Sequence, residues 1–588
     1  MHNPVALLDE RLRAAITAAL GPELAGADPV LRRSAQPRFG DFQANGAMAL
    51  AKLVGRPPRE IAQAIVEHLE VEGLCSAVEV AGPGFVNLTL SAESLSGAAV
   101  ALLGDDRLGV TRAEARRVVI DYSAPNVAKE MHVGHLRSTI LGDALVRVLD
   151  FAGHEVVRQN HLGDWGTPFG MLIEHLVDIG EEEAVRELSV GELTTFYKSA
   201  RDKFDAQRGF ADRARQRVVL LQGGDEATLR LWRLLFDASK AYFNTVYDRL
   251  GILLTDDDIA AESFYNPRLA AVAAELEEKG LAVVDDGALC VFPPGFTNRE
   301  AQPLPLIIRY STGGYGYATT DLAALRYRSL ELRADRILYV VGAPQATHLA
   351  MIFEVGRMAG WLGSEGPAAE HVQFGSILGQ DRKMYKTRSG DSVRLIDLLD
   401  EAQERAAAKV AEANPDLDPA SRREVATMVG IGAVKYADLS SDRVKDYVFD
   451  WDRMLAFDGN TAPYLQYAHA RIRSIFRRAE TNEPWRHRGG VGDQERVVVS
   501  EPAERALLLQ LLGLDEVVDA VAESLQPHRL CTYLFEVASA FTTFYEQCPV
   551  LRAPDADTRA SRLALCELTA RTLALGLGLL GIQAPDRM

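Results

Sequence analysis

Apolar residues recur at helical spacing in "MHNPVALLDERLRAAITAAL" and at both ends of "FGDFQANGAMALAKLVGRPPREIAQAIVEHL", after which "SAVEVAGPGFVNLTL" changes to strand-like alternation. This predicts a small α+β domain over residues 1–110. From 117 the run "RVVIDYS" reads as a buried strand and "APN" as a turn. Residues 129–152 then read as a helix, with Ile140, Leu141, Leu145, Val148 and Leu149 at core spacing. A second short strand in "GHEVVRQNHLGDWG" ends in a polar loop. Residues 181–285 are charged and helix-periodic, with no strand signal until "LAVVDDGALCVFP", and are expected to be an insertion. Strand and helix alternate again through "PLIIRYSTGGYGYATTDLAALRYRSL", "DRILYVVGAPQATHLAMIFEVGRMAGW" and "HVQFGSILG", the pattern of a parallel sheet covered by helices. The expectation is one sheet built from both halves, in an α/β domain spanning 111–410. Residues 411–588 read as an all-α bundle.

Composition narrows the class. With 588 residues, 47% hydrophobic and 25% charged, the chain has the material for several packed cores. Asp9, Glu10, Arg11 and Arg13 interrupt what would otherwise be a signal peptide's apolar segment, so the first residues are expected to form an amphipathic helix. The longest apolar stretch, "TLALGLGLLGI", falls well short of the roughly 20 residues of a membrane span. Five cysteines without a CxxC pair argue against a disulfide framework and a cysteine zinc site. A cytoplasmic protein without membrane partner is expected. The net charge of −18 disfavours a general nucleic-acid binder, so a polyanion must meet a local patch. "ARIRSIFRRAE", carrying Arg471, Arg473, Arg477 and Arg478, and the following "WRHR" at 485–488 offer one; the same residues also fit a solvated helix face.

The chemistry concentrates in "APNVAKEMHVGHLRSTILGD", where His132 and His135 flank Gly134 at the expected start of a helix. As a zinc site the pair lacks a third ligand and the glutamate of HExxH. As structural histidines they would be satisfied at the helix end or in the core. As phosphate binders they gain from position. A helix N-terminus after a parallel strand offers free N–H groups and the positive end of the dipole, and Gly134 leaves room for a flat ring against the backbone. The third reading makes this an ATP site. No GxxxxGK[ST] or GxGxxG is present to bind the nucleotide otherwise. Far downstream, Lys383, Lys386 and Arg388 in "GSILGQDRKMYKTRSGDSV" would bring mobile positive charge to a leaving pyrophosphate, or simply face solvent.

"HVGH" resembles the HIGH signature of class I aminoacyl-tRNA synthetases and "KMYKT" is similar to their KMSKS loop. Five longer stretches in order along the chain, "SAPNVAKEMHVGHLRSTILGD", "NHLGDWGTPFG", "YGYATTDLAAL", "GNTAPYLQYAHARI" and the terminal "APDRM", resemble arginyl-tRNA synthetases. The resemblance implies a Rossmann-type core that activates L-arginine with ATP, releases pyrophosphate, and esterifies the 3′-terminal adenosine of tRNA(Arg). It also implies that activation needs bound tRNA. ATP is expected with Mg2+, as substrate, with no permanently bound metal or organic cofactor, and the chain is expected to be a monomer. By residue, the resemblance puts His132 and His135 on the transferring phosphate, Gly134 under the adenine, and Lys383 and Lys386 on the phosphates. Lys129 matches a lysine that relatives lacking the second loop lysine are thought to use. Two departures stand out: Tyr385 replaces the serine of KMSKS, and Pro168 stands where many relatives carry glutamine.

Arginine's planar guanidinium has five fixed donors, so a selective site needs carboxylates that accept a fork. Tyr317 and Asp321 lie four apart in "YATTD", one helical turn, and the resemblance puts both on the guanidinium. Stabilisation of a helix start is the other reading of Asp321. Family correspondence adds Asp121, Ser123, Asn126 and Gln345 to the arginine site. For tRNA, the aromatic and basic residues of "PYLQYAHARIRSIFRR" suit stacked bases and phosphates. The expected contacts are Tyr464, Tyr467, His469, Arg471 and Met588, with Phe85 and Asn87, on one face of a strand whose edge would meet the D-loop. Two other readings compete. A small HxGH nucleotidyltransferase would leave the C-terminal bundle unexplained. A non-catalytic tRNA-binding or regulatory relic need not keep His132, His135, Lys386 and Asp321 together, as this chain does.

Overall fold

The computed structural model describes residues 3–34, 36–180, 193–364, 366–385, 393–482 and 497–588. The N-terminal region carries a four-stranded antiparallel sheet of Leu31–Arg33 (β1), Phe42–Ala44 (β2), Cys75–Ala81 (β3) and Phe85–Leu90 (β4), in the order β1-β2-β4-β3. Helices Pro4–Leu20 and Pro58–Glu67 supply Leu8, Leu12, Ile61 and Ile65 to its core. β4 is an interior strand, paired on both sides, which corrects the expectation that it is an edge. The region is fastened to the C-terminal bundle. Arg505 of helix Pro502–Leu511 binds buried Asp41 and the Leu90 carbonyl, and Arg571 donates to the carbonyls of Leu103 and Asp105.

Four parallel strands build the central sheet: Arg117–Asp121 (β5), Glu155–Gln159 (β6), and, after a second sheet, Arg336–Tyr339 and Ala368–His371. That second sheet is antiparallel and comprises Ala282–Asp285 (β7), Ala288–Val291 (β8) and Leu306–Arg309 (β9), so the later strands are β10 and β11. The run "PLIIR" therefore does not join the parallel sheet: β9 pairs with β8, because a short turn after β7 lets a meander form locally. The parallel order is β11-β10-β5-β6. The chain enters at β5, moves out to β6, then returns to the other side of β5 with β10. This makes the boundary between β5 and β10 a topological switch point, where a crevice opens beyond the strands' C-terminal ends.

The sequence between β6 and β7 folds into helices, Thr167–Ile179 and, described from Leu193, Leu193–Ala206, Arg208–Gln222, Glu226–Leu250 and Asn266–Glu278. After the sheet, Ile377–Leu378 pairs in parallel with Tyr447–Val448, a short strand inside the region expected to be all helical. Helices Leu395–Ala413, Pro419–Leu439, Ala462–Asn482, Pro502–Leu511, Leu514–Ser524, His528–Gln547 and Ala556–Leu579 complete the bundle. A buried ion pair joins bundle to core. Arg137, on the helix after β5, donates to both oxygens of Asp438 at 3.1 and 3.0 Å and to the Lys445 carbonyl, with both charged side chains almost wholly inaccessible. Among the described residues, no helix is long and apolar enough to cross a membrane.

Candidate active site at the switch point

β5 ends at Asp121 and the chain turns through a stretch of unusual backbone: Ser123, Ala124 and Ala128 all have positive φ, at 71°, 46° and 58°. L-residues hold such angles at a cost of about 1–3 kcal/mol each, and only when the surroundings over-determine them. Here the surroundings come from the helical insertion, from the helix that follows the turn, and from the loop after β6. Ser123 Oγ bonds to Tyr247 Oη at 2.8 Å and accepts from Thr139, while the Ser123 N–H donates to Ser138. The Ala124 N–H donates to Asn160, whose amide reaches the same Tyr247 hydroxyl, and the Ala128 N–H donates to buried Ser239. Tyr247 and Ser239 lie on helix Glu226–Leu250. The insertion thus forms one wall of the site.

The turn delivers His132 as the N-cap of helix Val133–Ala152. Its Nδ1 accepts from the Gly134 N–H at 3.0 Å, and His135 Nδ1 accepts from the His132 N–H at 3.1 Å, a reciprocal capping box made of two imidazoles. Burial and the nearby Lys129 charge lower the pKa of His132; burial and His132 push that of His135 down to about 3. Both rings are therefore neutral at pH 7, and with each Nδ1 accepting, each carries its proton on Nε2. The pair presents two N–H donors fixed by the backbone. A Cβ on Gly134 would lie 2.7 Å from the His132 ring, so this glycine also makes the capping geometry possible, besides leaving a flat backbone surface. Deeper in, Gly142 lets the helix approach Tyr122, which a Cβ would meet at 2.3 Å. Lys129 lies next to the histidines with its Nζ 4.3 Å from the centre of the Tyr197 ring. The strand segment around Val393 and Arg394 pairs with the signature, through Val133 N–H to Val393 O and Leu395 N–H to Met131 O.

Lys383 is exposed on a turn closed by Gly379 N–H to Lys383 O, while Lys386 and Arg388 lie outside the described residues, as does "WRHR". Tyr385 stacks on Phe449 at 4.8 Å, so the residue that departs from KMSKS anchors the stem of the loop. Pro168 occupies the first turn of helix Thr167–Ile179, where a missing N–H is harmless, so it leaves the local shape intact.

Across the crevice, helix Tyr317–Arg326 begins at Tyr317, and the predicted one-turn spacing holds. Asp321 Oδ2 meets His348 Nε2 at 2.6 Å, Tyr317 lies 5.0 Å from the His348 ring, and His161 Nε2 is 4.0 Å from Asp321 Oδ1. Gln345 is exposed at the start of helix Ala346–Met358, beyond β10, and Asn126 is exposed in the β5 turn. Asp121, which family correspondence puts in the arginine site, engages Arg328 through Oδ2 while its buried Oδ1 has no partner among the described residues. The carboxylate is buried and paired at 2.8 Å with Arg328, a wholly buried guanidinium that also binds Gln159 at 2.6 Å, so its charge is compensated within the fold. Ser123 is likewise engaged internally.

One group escaped the sequence reading. The carboxyl of Glu262 accepts from the Trp165 N–H, and burial, with Asp164 and Asp321 nearby, raises its pKa to about 7. Asp164, bonded to Ser263, is raised to about 6, chiefly by burial. Carboxylates held together in a recess without enough internal cations make a site that favours a bound cation. Its only sequence signal was a glutamate after a run of aspartates, which reads as solvated surface.

The tRNA candidates separate. Tyr467 is exposed and, with Lys409, Glu412, Ala413, Phe457 and Met588, lines a pocket of about 450 Å³. Tyr464 packs near Phe535, and Arg471 lies over the Tyr545 ring at 4.4 Å. His469 is buried and donates to the Pro585 carbonyl, so it holds the tail that carries Met588 instead of facing solvent. Asn87 is buried against Gln43, with Phe85 half-buried on the same face of β4. Their burial follows from β4 lying inside its sheet.

Residues 98–451 match the tRNA synthetases class I (R) catalytic domain, 465–588 the DALR anticodon binding domain, and 6–90 the arginyl tRNA synthetase N-terminal domain. The chain is 57% identical over 591 residues to the arginine–tRNA ligase of Thermobifida fusca and 48% identical over 586 residues to that of Klebsiella pneumoniae strain 342, covering 100% of each chain in both comparisons. Solved arginyl-tRNA synthetases from Plasmodium falciparum and Thermus thermophilus superpose with TM-scores of 0.82, at 28% and 27% identity. The first match covers 100% of both chains, the second 99% of this chain and 100% of that one. The chain belongs to the arginyl-tRNA synthetases of class I.

Proposed function

We infer that the protein is an arginine–tRNA ligase. The arginine carboxylate attacks the α-phosphorus of ATP, the bond to the β-phosphate breaks, and pyrophosphate leaves. A ribose hydroxyl of the 3′-terminal adenosine of tRNA(Arg) then attacks the arginyl carbonyl of the adenylate, the acyl–phosphate bond breaks, and AMP leaves. The observation that carries this reading is that two neutral Nε2–H donors follow the C-terminal end of β5 while the carboxylates Glu262 and Asp321 are tied to the loop after the neighbouring parallel strand β6. The donors suit phosphate whose charge shifts during transfer, and the carboxylates suit a guanidinium.

In this reading His132 and His135 stabilise the transferring phosphate, Gly134 seats the adenine, and Lys129, Lys383 and Lys386 bind the phosphates and the departing pyrophosphate. Asp321, Glu262 and Tyr317 take the guanidinium, with His348 orienting Asp321 through their hydrogen bond. Asn126 and Gln345 hold the amino-acid end, while Asp121 and Ser123 act one layer back, fixing Arg328 and the strained turn. Mg2+ enters as the counter-ion of ATP, and no residue is assigned to it. We assign residues 1–110, 111–410 and 411–588 to tRNA contact, catalysis and anticodon binding. Tyr464, Tyr467, Arg471 and Met588 meet the anticodon, His469 supports the tail, and Phe85 with Asn87 belongs to the face nearest the D-loop. The protein works as a cytoplasmic monomer.

The test is ATP–pyrophosphate exchange with each amino acid, with and without tRNA(Arg). Exchange with arginine alone, and only when tRNA is present, is expected. No exchange under any condition would leave a non-catalytic tRNA-binding protein.

A further inference from the structure

Lys129 differs from the buried cations Arg328 and Arg137 in what it touches. Arg328 and Arg137 are matched by Asp121 and Asp438, whereas Lys129 makes no ion pair among the described residues. It lies over the face of Tyr197, 4.3 Å from Nζ to ring centre. Tyr197 is half-buried on helix Leu193–Ala206 of the insertion, beside Phe196, which packs into the core against His175. The backbone at the base of Lys129 is fixed independently, since Ala128 sits at positive φ with its N–H on Ser239. Both ends of the lysine are therefore held by the insertion: its root by helix Glu226–Leu250 and its head by helix Leu193–Ala206.

We propose that Tyr197 is a positioning residue of the phosphate subsite, its ring holding the Lys129 ammonium beside His132 and His135 so that ATP meets a pre-placed, uncompensated cation. The inference rests on the reading that Lys129 binds the phosphates. A carboxylate would restrain the lysine equally well but would neutralise it, and the phosphates would have to displace that partner. An aromatic face attracts the ammonium through its quadrupole and leaves the net charge in place. The long lysine stem, otherwise free to sample many rotamers, is thereby narrowed towards the productive ones. The helix bearing Tyr197 thus sets where the positive charge stands, although it contributes no group to the chemistry.

The test uses the full-length protein with tRNA(Arg), following ATP–pyrophosphate exchange for Tyr197→Leu, Tyr197→Phe, Lys129→Met and the Tyr197→Leu/Lys129→Met double variant. Loss of the ring should lower kcat/KM for ATP about 3- to 30-fold, the range of a desolvated cation–π contact. KM for arginine should stay the same, and Tyr197→Phe should stay within about twofold of wild type because the ring face remains. In the Lys129→Met background Tyr197→Leu should add almost nothing. Equal losses for Phe and Leu, or a full additional loss in the Lys129→Met background, would overturn the proposal. An unimpaired Lys129→Met would instead overturn the reading beneath it, whereas an impaired Lys129→Met with a normal Tyr197→Leu would sink the positioning role alone. Melting temperatures accompany each variant. If Tyr197→Leu melts low, Tyr197→Met replaces it, and the same comparison with Tyr197→Phe decides.

Discussion

Glu262 offers a quantitative test of the guanidinium site. With its pKa raised to about 7 by burial and by the nearby Asp164 and Asp321 charges, the carboxyl of the free enzyme is mostly protonated at pH 6 and mostly ionised at pH 8. A guanidinium needs the ionised form, so binding should expel the proton. For one such group the apparent Kd scales as one plus the ratio of protonated to ionised carboxyl, about 11 at pH 6 and about 1.1 at pH 8. Arginine should thus bind roughly tenfold more weakly at pH 6, and calorimetry in buffers of different ionisation enthalpy should register about half a proton released at pH 7, rising towards one at pH 6. Glu262→Gln keeps the shape but should lose both the slope and at least about tenfold in affinity. The same shift has a stability consequence of opposite sign. A carboxyl raised on folding from 4.5 to about 7 binds its proton more tightly when folded, so its favourable contribution is complete below 4.5 and fades as pH rises to about 7. Glu262→Gln should consequently be more stable than wild type at pH 8 without arginine, by at most about 3 kcal/mol. An arginine Kd that is flat from pH 6 to 8, or a slope that survives in Glu262→Gln, would refute the assignment.

Removing a phosphate-facing donor with His135→Ala should lower kcat for exchange roughly 10²- to 10³-fold with little change in KM for ATP, and a rise in KM alone would mark simple binding. Arg137→Met leaves Asp438 buried without its cation and should cost about 3–5 kcal/mol, read by denaturant titration. Deleting residues 1–110 should lower the melting temperature as well as weaken tRNA binding, because Arg505 of the bundle then loses Asp41 and the Leu90 carbonyl as partners. A truncated protein that melts normally would show these contacts to be dispensable.

Local rules carried the sequence reading where structure is local. The strand, turn and helix from Arg117 to Ala152 were legible because apolar spacing determines them within a few turns of chain, and the core positions from Ile140 to Leu149 are all buried, although the helix begins at Val133 and not at 129, since His132 caps it. The one-turn spacing of Tyr317 and Asp321 was legible for the same reason. What required the tertiary structure depends on partners far away in sequence. Whether β4 is an edge, or "PLIIR" a parallel strand, is set by which strands pair with it, and hydrophobic alternation is the same in both cases. That Asp121 is neutralised and Glu262 is not depends on Arg328 lying 207 residues from one and on Asp164 and Asp321 crowding the other. The proton positions on His132 and His135 follow from backbone hydrogen bonds that form only once the turn has closed. Residue identity therefore determined which groups were available, while burial and long-range charge, which no window of sequence contains, decided which of them remain free to act on a ligand.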